Sequence, residues 1–173
     1  MIVIINGPCG VGKTTVAWEL NARFHRAVML DGDYIGAVHP FAIYDEARVD
    51  YLYRTLRHLV AFHVEEGGYE HFIINYVFES PESLAQLQTL LADLAGPVVA
   101  FRLRASDEAL ERRIRAREER PDWYLRRYRE LVAIQERAAR RGEMGILIDT
   151  TGLTAAEVVD RIWARLQGWA GAA

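Results

Sequence analysis

Ile2-Val3-Ile4-Ile5-Asn6-Gly7-Pro8-Cys9-Gly10-Val11-Gly12-Lys13-Thr14-Thr15 decides the fold of this 173-residue chain. An apolar run leads into a loop that fills each position of G-x-x-x-x-G-K-[ST], from Gly7 to Thr14, and a helical pattern follows. Strand, glycine loop and helix in that order make a phosphate-binding turn. The glycines let the backbone wind around an anion with its N–H groups inward, and the helix contributes its positive end. Lys13 reaches the outer phosphates and Thr14 can hold Mg²⁺, while Cys9 reads as a small spacer at a variable loop position. Lys13 is also the only lysine; all other fixed cationic charge is arginine. The loop needs a compact, rotatable ammonium at that position rather than a planar fork.

Length and composition, with 51% hydrophobic and 26% charged residues, fit one domain over residues 1–173 that buries a real core. The chain opens in its first strand and has no apolar run of bilayer-spanning length, so we expect a cytoplasmic protein without a membrane partner. One cysteine excludes an internal disulfide. A net charge of −3 gives no nucleic-acid footprint. Residues 102–141 nevertheless carry 13 Arg against 8 Asp plus Glu, which leaves the remainder acidic. That contrast points to a local anionic ligand.

Apolar runs alternate with helical patterns along the whole chain. Strands are expected at Ile2–Asn6, Ala27–Asp31, Phe72–Tyr76, Val98–Leu103 and Ile146–Asp149. Helices are expected near 13–24, 46–66, 81–95, 106–118, 123–140 and 154–168. The alternation implies an α/β fold with a mostly parallel sheet, helices on both faces and ligands at the carboxyl ends of the strands. Ser80-Pro81, Ser106-Asp107-Glu108 and Thr154-x-x-Glu157 supply helix caps. The tail from Gly168 to Ala173 reads as frayed.

Two further patterns carry chemistry. Asp31 and Asp33 stand two apart at the end of the second strand, so a strand continuing through both aims them to one side. Asp31 then suits the metal side, and Asp33, further out, suits the proton of an attacking hydroxyl; a turn with solvated carboxylates is the alternative. Arg113, Arg117 and Arg120 share one side of a helix beside the stripe that begins with Leu110 and Ile114, and Pro121 should break that helix. We read a lid over roughly 113–125 that closes its arginines over phosphates, against a solvated face satisfied by Glu111, Glu118 and Glu119. In the helix at 46–66, Leu52, Leu56, Leu59, Val60 and His63 form the packing side, and Arg54 or Arg57 is either an acceptor contact or exposed. Asn75, Tyr76 and Glu79 should reach the same cleft. The histidines show no metal-ligand spacing, and Trp18, Trp123 and Trp163 read as packing residues.

These residues resemble the P-loop small-molecule kinases related to gluconate, shikimate and adenylylsulfate kinases, over nearly the whole chain. The resemblance implies a P-loop NTPase fold with a five-stranded parallel sheet, ATP with Mg²⁺, and phosphoryl transfer to a small acceptor. It makes Gly7–Thr15, with Gly7, Cys9, Gly10, Val11, Gly12, Lys13, Thr14 and Thr15, the ATP loop. It makes Asp149-Thr150-Thr151-Gly152-Leu153 the adenine-side loop, with Thr151 against the nucleotide. Arg113 and Arg117 fall in the lid, and Lys13, Asp33 and Arg117 become the catalytic set, with Thr14 and Asp31 on the metal. The segment Asn75-Tyr76-Val77-Phe78-Glu79 departs from the acceptor signatures of all three kinases. Here the layout is more similar to the tunicamycin-resistance ATP-binding proteins, so a nucleotide-dependent sequestering protein without phosphoryl transfer is the rival reading. A monomer or homodimer is expected. The guanine-reading Asn-Lys-x-Asp is excluded because the single lysine is already placed.

Overall fold

The computed structural model describes residues 1–39 and 45–170. Five strands form one sheet: β1 (Ile2–Asn6), β2 (Ala27–Asp31), β3 (His71–Asn75), β4 (Val98–Arg104) and β5 (Ile146–Asp149), in spatial order β2-β3-β1-β4-β5. Each neighbouring pair is parallel, with Ile2 opposite both Phe72 and Val98. The central strand β1 is wholly buried, which is why its sequence is an unbroken apolar run and does not alternate.

Period-two alternation instead sorts its side chains to two cores. Val3 and Ile5 pack with Val16, Leu20, Val158 and Ile162, from α1 (Lys13–Asn21) and α7 (Ala155–Ala170). Ile2 and Ile4 pack with Leu52, Leu56 and Val60 of α3 (Glu46–Glu65) and Leu84, Leu87 and Leu91 of α4 (Pro81–Leu91). Helices α5 (Asp107–Arg117) and α6 (Pro121–Ala139) complete the first core with Leu110, Ile114, Leu125 and Tyr128.

The chain leaves β1 toward β2 and β3 on one side and reaches β4 on the other. Strand order therefore reverses at β1, and the crevice beyond its carboxyl end is where such a sheet binds ligands. The phosphate-loop motif follows β1 there.

Capping explains most helix starts. Ser80 accepts the Ser83 N–H, Ser106 accepts the Ala109 N–H, and Thr154 and Glu157 exchange hydrogen bonds as a capping box. Several expectations need correction. Strand three ends at Asn75, so Tyr76 lies just beyond it, although its N–H still donates to Ile5 O. The second strand spans Ala27–Asp31 as expected but does not continue through Asp33, because the Asp31 side chain caps an unforeseen short helix, α2 (Gly32–Ile35). Helix α7 continues to Ala170, through the first half of the tail read as frayed; residues 171–173 lie outside the described residues. Trp18 and Trp123 are exposed rather than packed, since α1 buries Val16, Ala17 and Leu20 and turns Trp18 outward. Trp163 does pack, its ring edge-on to Phe24 at 4.9 Å. Among the described residues no helix is long and apolar enough to cross a membrane.

Candidate active site

Asn6, fully buried at the end of β1, fixes where the loop begins. Its Oδ1 accepts the Phe78 N–H at 3.1 Å and the Gln135 amide at 2.8 Å, while its Nδ2 donates to Met144 O. Gln135 Nε2 also donates to Phe78 O at 2.8 Å. A buried network of this kind holds only when its members are satisfied. It ties α6 to the root of the loop and to the segment after β3.

Two glycines shape the loop itself. Gly10 has φ +77, and a Cβ there would lie 2.7 Å from Ile114 Cγ1, so only glycine lets α5 approach. Gly12 has φ +101 and caps α1 without a side-chain bond; a Cβ on it would meet nothing within 4 Å. Space is thus open beside the first turn of α1, which has no capping side chain and no acidic residue. Uncapped N–H groups beside open space fit an anion. Lys13 Nζ donates back to Pro8 O at 3.1 Å and the residue is only 7% exposed. Burial lowers its pKa, opposed by the negative charges of Asp33 and Asp31. Cys9 remains a spacer: burial pushes its thiol up, away from a reactive thiolate.

Beyond the lysine, Thr14 Oγ1 donates to Asp31 Oδ2 at 3.2 Å. Asn75 Nδ2 donates to the same Asp31 Oδ2 at 2.8 Å and to Thr14 Oγ1 at 3.3 Å. Asn75 is fully buried, and its Oδ1 has no hydrogen-bond partner among the described residues. The Thr14 hydroxyl and the Asp31 carboxylate offer hard oxygens of the kind that suits Mg²⁺ and its waters, and the Asn75 amide N–H fixes that carboxylate. The other Asp31 oxygen accepts the N–H groups of Asp33 and Tyr34, at 2.9 and 3.4 Å. The expected common strand face for Asp31 and Asp33 is therefore wrong: Asp31 caps α2 and Asp33 sits in its first turn. Asp33 is exposed, yet partial desolvation by the surrounding protein raises its pKa, with Lys13 pulling the other way.

The arginines separate. Arg113 is half-buried and donates to Thr150 O at 2.8 Å, Thr150 Oγ1 at 3.1 Å and Val11 O at 3.4 Å. It links the loop to the segment after β5. Arg117 is exposed and pairs with its neighbour Glu118. Arg115 pairs with Glu111 and Asp122. Helix α5 ends at Arg117, so Arg120 leaves the stripe and precedes Pro121 in the break. Arg113 and Arg117 line a cavity of about 230 Å³ with Gly10, Gly12, Thr15 and Thr150. Thr151 does not line it; its hydroxyl accepts the Ser106 N–H, and Thr150 takes the position. Arg57 turns to α4 as a bidentate partner of Asp93, and Arg54 pairs with Asp50.

Sequence reasoning missed Asn6 and Gln135, and within the loop at 149–153 it chose Thr151 where Thr150 lines the cavity. Gln135 carried a readable signal, a polar residue at a core position of a stripe that includes Tyr128, Leu131 and Ala138.

Solved structures with this fold include the tunicamycin resistance protein of Deinococcus radiodurans, with a TM-score of 0.65, 21% identity, and coverage of 95% of this chain and 94% of that one. A gluconokinase of Sinorhizobium meliloti 1021 has a TM-score of 0.71 at 17% identity, covering 98% of this chain and 93% of that one. A shikimate kinase of Bacteroides thetaiotaomicron has a TM-score of 0.62 at 15% identity, covering 96% and 98% respectively. At these identities the likeness shows the fold, a P-loop kinase-like α/β sheet. No curated protein matches the sequence. The family model described as an AAA domain matches residues 3–133, well over half of the 173, and the chain belongs to that family.

Proposed function

We propose that this protein is an ATP-dependent phosphotransferase that moves the γ-phosphoryl group to a hydroxyl of a small molecule. One observation carries the reading: Lys13, Thr14, Asp31 and Asn75 converge beyond the carboxyl ends of β1, β2 and β3, with Asp33 alongside and an open, uncapped helix terminus between them. Structural neighbours titled gluconokinase, sugar kinase and shikimate kinase support small-molecule transfer.

Mg²⁺, when bound, would neutralise charge on the β- and γ-oxygens. Thr14 and Asp31 would hold it, with Asn75 fixing their geometry. Lys13, released from Pro8 O, would follow the outer phosphates. Asp33 would accept the proton as the acceptor oxygen forms its new bond to phosphorus and the bond to the ADP oxygen breaks. Arg117, on the proposed lid, would add positive charge over the transferring group, and Arg113 would hold the loop against the nucleotide-side segment. A sequestering protein has no use for an acid at the Asp33 position.

The test is acceptor-stimulated ADP release over a panel of hydroxylated compounds, with mass detection of a phosphorylated product. Nucleotide binding with no phosphorylated product across the panel would favour the sequestering protein.

A further inference from the structure

A cavity of about 590 Å³ opens between the N-terminal half of α3 and the segment that runs from β3 into α4. One wall is Tyr76, which directly follows Asn75 and whose ring lies against the Asp31–Asp33 turn. A Cβ on Gly32 would lie 2.7 Å from Tyr76 Cδ2. The cavity therefore starts where the proposed phosphoryl site ends, on the side away from the nucleotide-side cavity.

Its lining is of two kinds. At its back, the fully buried Tyr53 shares a 2.6 Å hydrogen bond with Ser83, and the Tyr53 and Tyr76 rings stand edge-on at 6.5 Å. Burial pushes the Tyr53 phenol up to about 12, so it stays a neutral donor and acceptor. Tyr53 lies behind this wall; the half-buried Tyr76 ring with the Ser80 and Ser83 hydroxyls is the surface that matches a sugar or cyclitol ring. Around the rim stand Glu46, Asp50 and Glu82, with Glu79 further in, and no Arg, Lys or His lines the cavity among the described residues.

The guanidinium partners of these acids do not convert the cleft into an anion site. Asp50 meets Arg54 at 3.7 Å and Glu82 meets Arg141 at 3.0 Å, and all four side chains are more than half exposed. Such pairs are weak and exchangeable. Glu79 and Arg127, at 3.0 Å and better buried, hold each other. Arg48, whose positive charge faces Asp33, donates to Gly36 O. An anionic acceptor would meet carboxylates at the rim; an ammonium would meet partners.

We propose that the acceptor is a hydroxyl-rich ring compound that carries an amino group and no carboxylate, phosphate or sulfate, with its reacting hydroxyl toward Asp33 and its ammonium toward Glu46 and Asp50. This rests on the phosphotransfer reading. In the transfer the hydroxyl oxygen gains the phosphoryl group, its proton passes to Asp33, and the electrons of the broken P–O bond leave on ADP.

Two matched probe sets test it: glucosamine, glucose and gluconate, and streptamine against inositol. Binding is read by calorimetry with a non-hydrolysable ATP analogue present, and transfer separately by product mass with ATP. In each set the amine should bind at least about fivefold more tightly than its neutral or anionic counterpart at low salt, and the gap should narrow as salt is raised. The double variant Glu46→Gln/Asp50→Asn, checked for folding by its melting curve, should lose that gap; the salt dependence of the unaltered protein gives the same answer without it. Gluconate binding as well as glucosamine, a gap unmoved by salt and by the double variant, or no amine binding at all would overturn the proposal. Amine-selective binding without any phosphorylated product would instead overturn the phosphotransfer reading and leave the charge preference of the cleft standing.

Discussion

Asn75 Nδ2 lies 2.8 Å from Asp31 Oδ2, so a buried amide at the end of β3 holds the carboxylate that caps α2 and meets Thr14. Three elements thus share one oxygen. Replacing Asn75 with Ala removes this donor and should cost about 1–3 kcal/mol, read by denaturant unfolding, while weakening Mg²⁺-dependent nucleotide binding. Asn75→Asp is more telling. Two carboxylates in contact cannot both ionise, so the folded pair would bind a proton more tightly than the unfolded chain. Stability supplied by that proton is present at low pH and lost as pH rises through the folded value. Asn75→Asp should therefore lose more stability at pH of about 8 than at about 5, a range set by ordinary carboxylate values. Equal losses at both would mean the amide does not constrain Asp31.

Lys13 illustrates a site that costs stability. Burial lowers its pKa, so the folded protein holds a charge it would bind less well than water does. Lys13→Met keeps the stem and deletes the charge, and its melting temperature without nucleotide should equal or exceed that of the parent. The parent should gain roughly 2.7 kcal/mol from ATP at a hundred times its dissociation constant, and the variant should lose that gain. A large fall in melting temperature without nucleotide would show that the ammonium serves the fold.

The strands and most helices were legible because β1 to β5 are short apolar runs with caps between them, and the phosphate-loop motif named its own strand and helix. What was not legible lay in side-chain competition. Asp31 read as one residue of a continuing strand, yet its carboxylate accepts the backbone N–H groups of Asp33 and Tyr34 and starts α2. Arg120 read as the third residue of a stripe, yet α5 stops at Arg117, before Pro121. Arg113 read as a phosphate contact, and its donors reach backbone on two loops far apart in sequence. Periodicity shows which face a residue takes and does not show which distant acceptor meets it there.

Asp33 gives a pH dependence with a definite sign. Partial desolvation raises its folded pKa above the unfolded value, more than Lys13 lowers it. The native state then holds the proton more tightly, and the stability this supplies is complete below the unfolded value and lost as pH rises through the folded one. Asp33→Asn cannot lose it. The stability of Asp33→Asn relative to the parent should therefore climb as pH rises from about 4, the ordinary carboxylate value, followed by thermal melts. A flat difference would mean Asp33 titrates as it does in water.

Three arginines of α5 should part company in one experiment. Arg113 bonds Val11, Thr150 and Leu153 backbone, so Arg113→Ala leaves carbonyls on two loops without their donor. It should lose about 1–3 kcal/mol of stability together with nucleotide affinity. Arg115 makes only exposed pairs with Glu111 and Asp122, and Arg115→Ala should change stability by no more than about 0.5 kcal/mol and leave the rate unaltered. Arg117 is as exposed as Arg115, but it lines the nucleotide-side cavity and its partner is the adjacent Glu118. Glu118, only 16% exposed, would lose this partner, so Arg117→Ala should cost about 1 kcal/mol of stability, less than Arg113→Ala. If its charge closes over the transferring phosphoryl group, the loss falls on the chemical step, on the order of a hundredfold in single-turnover rate. Nucleotide affinity should change far less, because such a charge acts mainly on the transition state. Equal single-turnover rates for Arg117→Ala and Arg115→Ala would reduce the stripe to a solvated helix face.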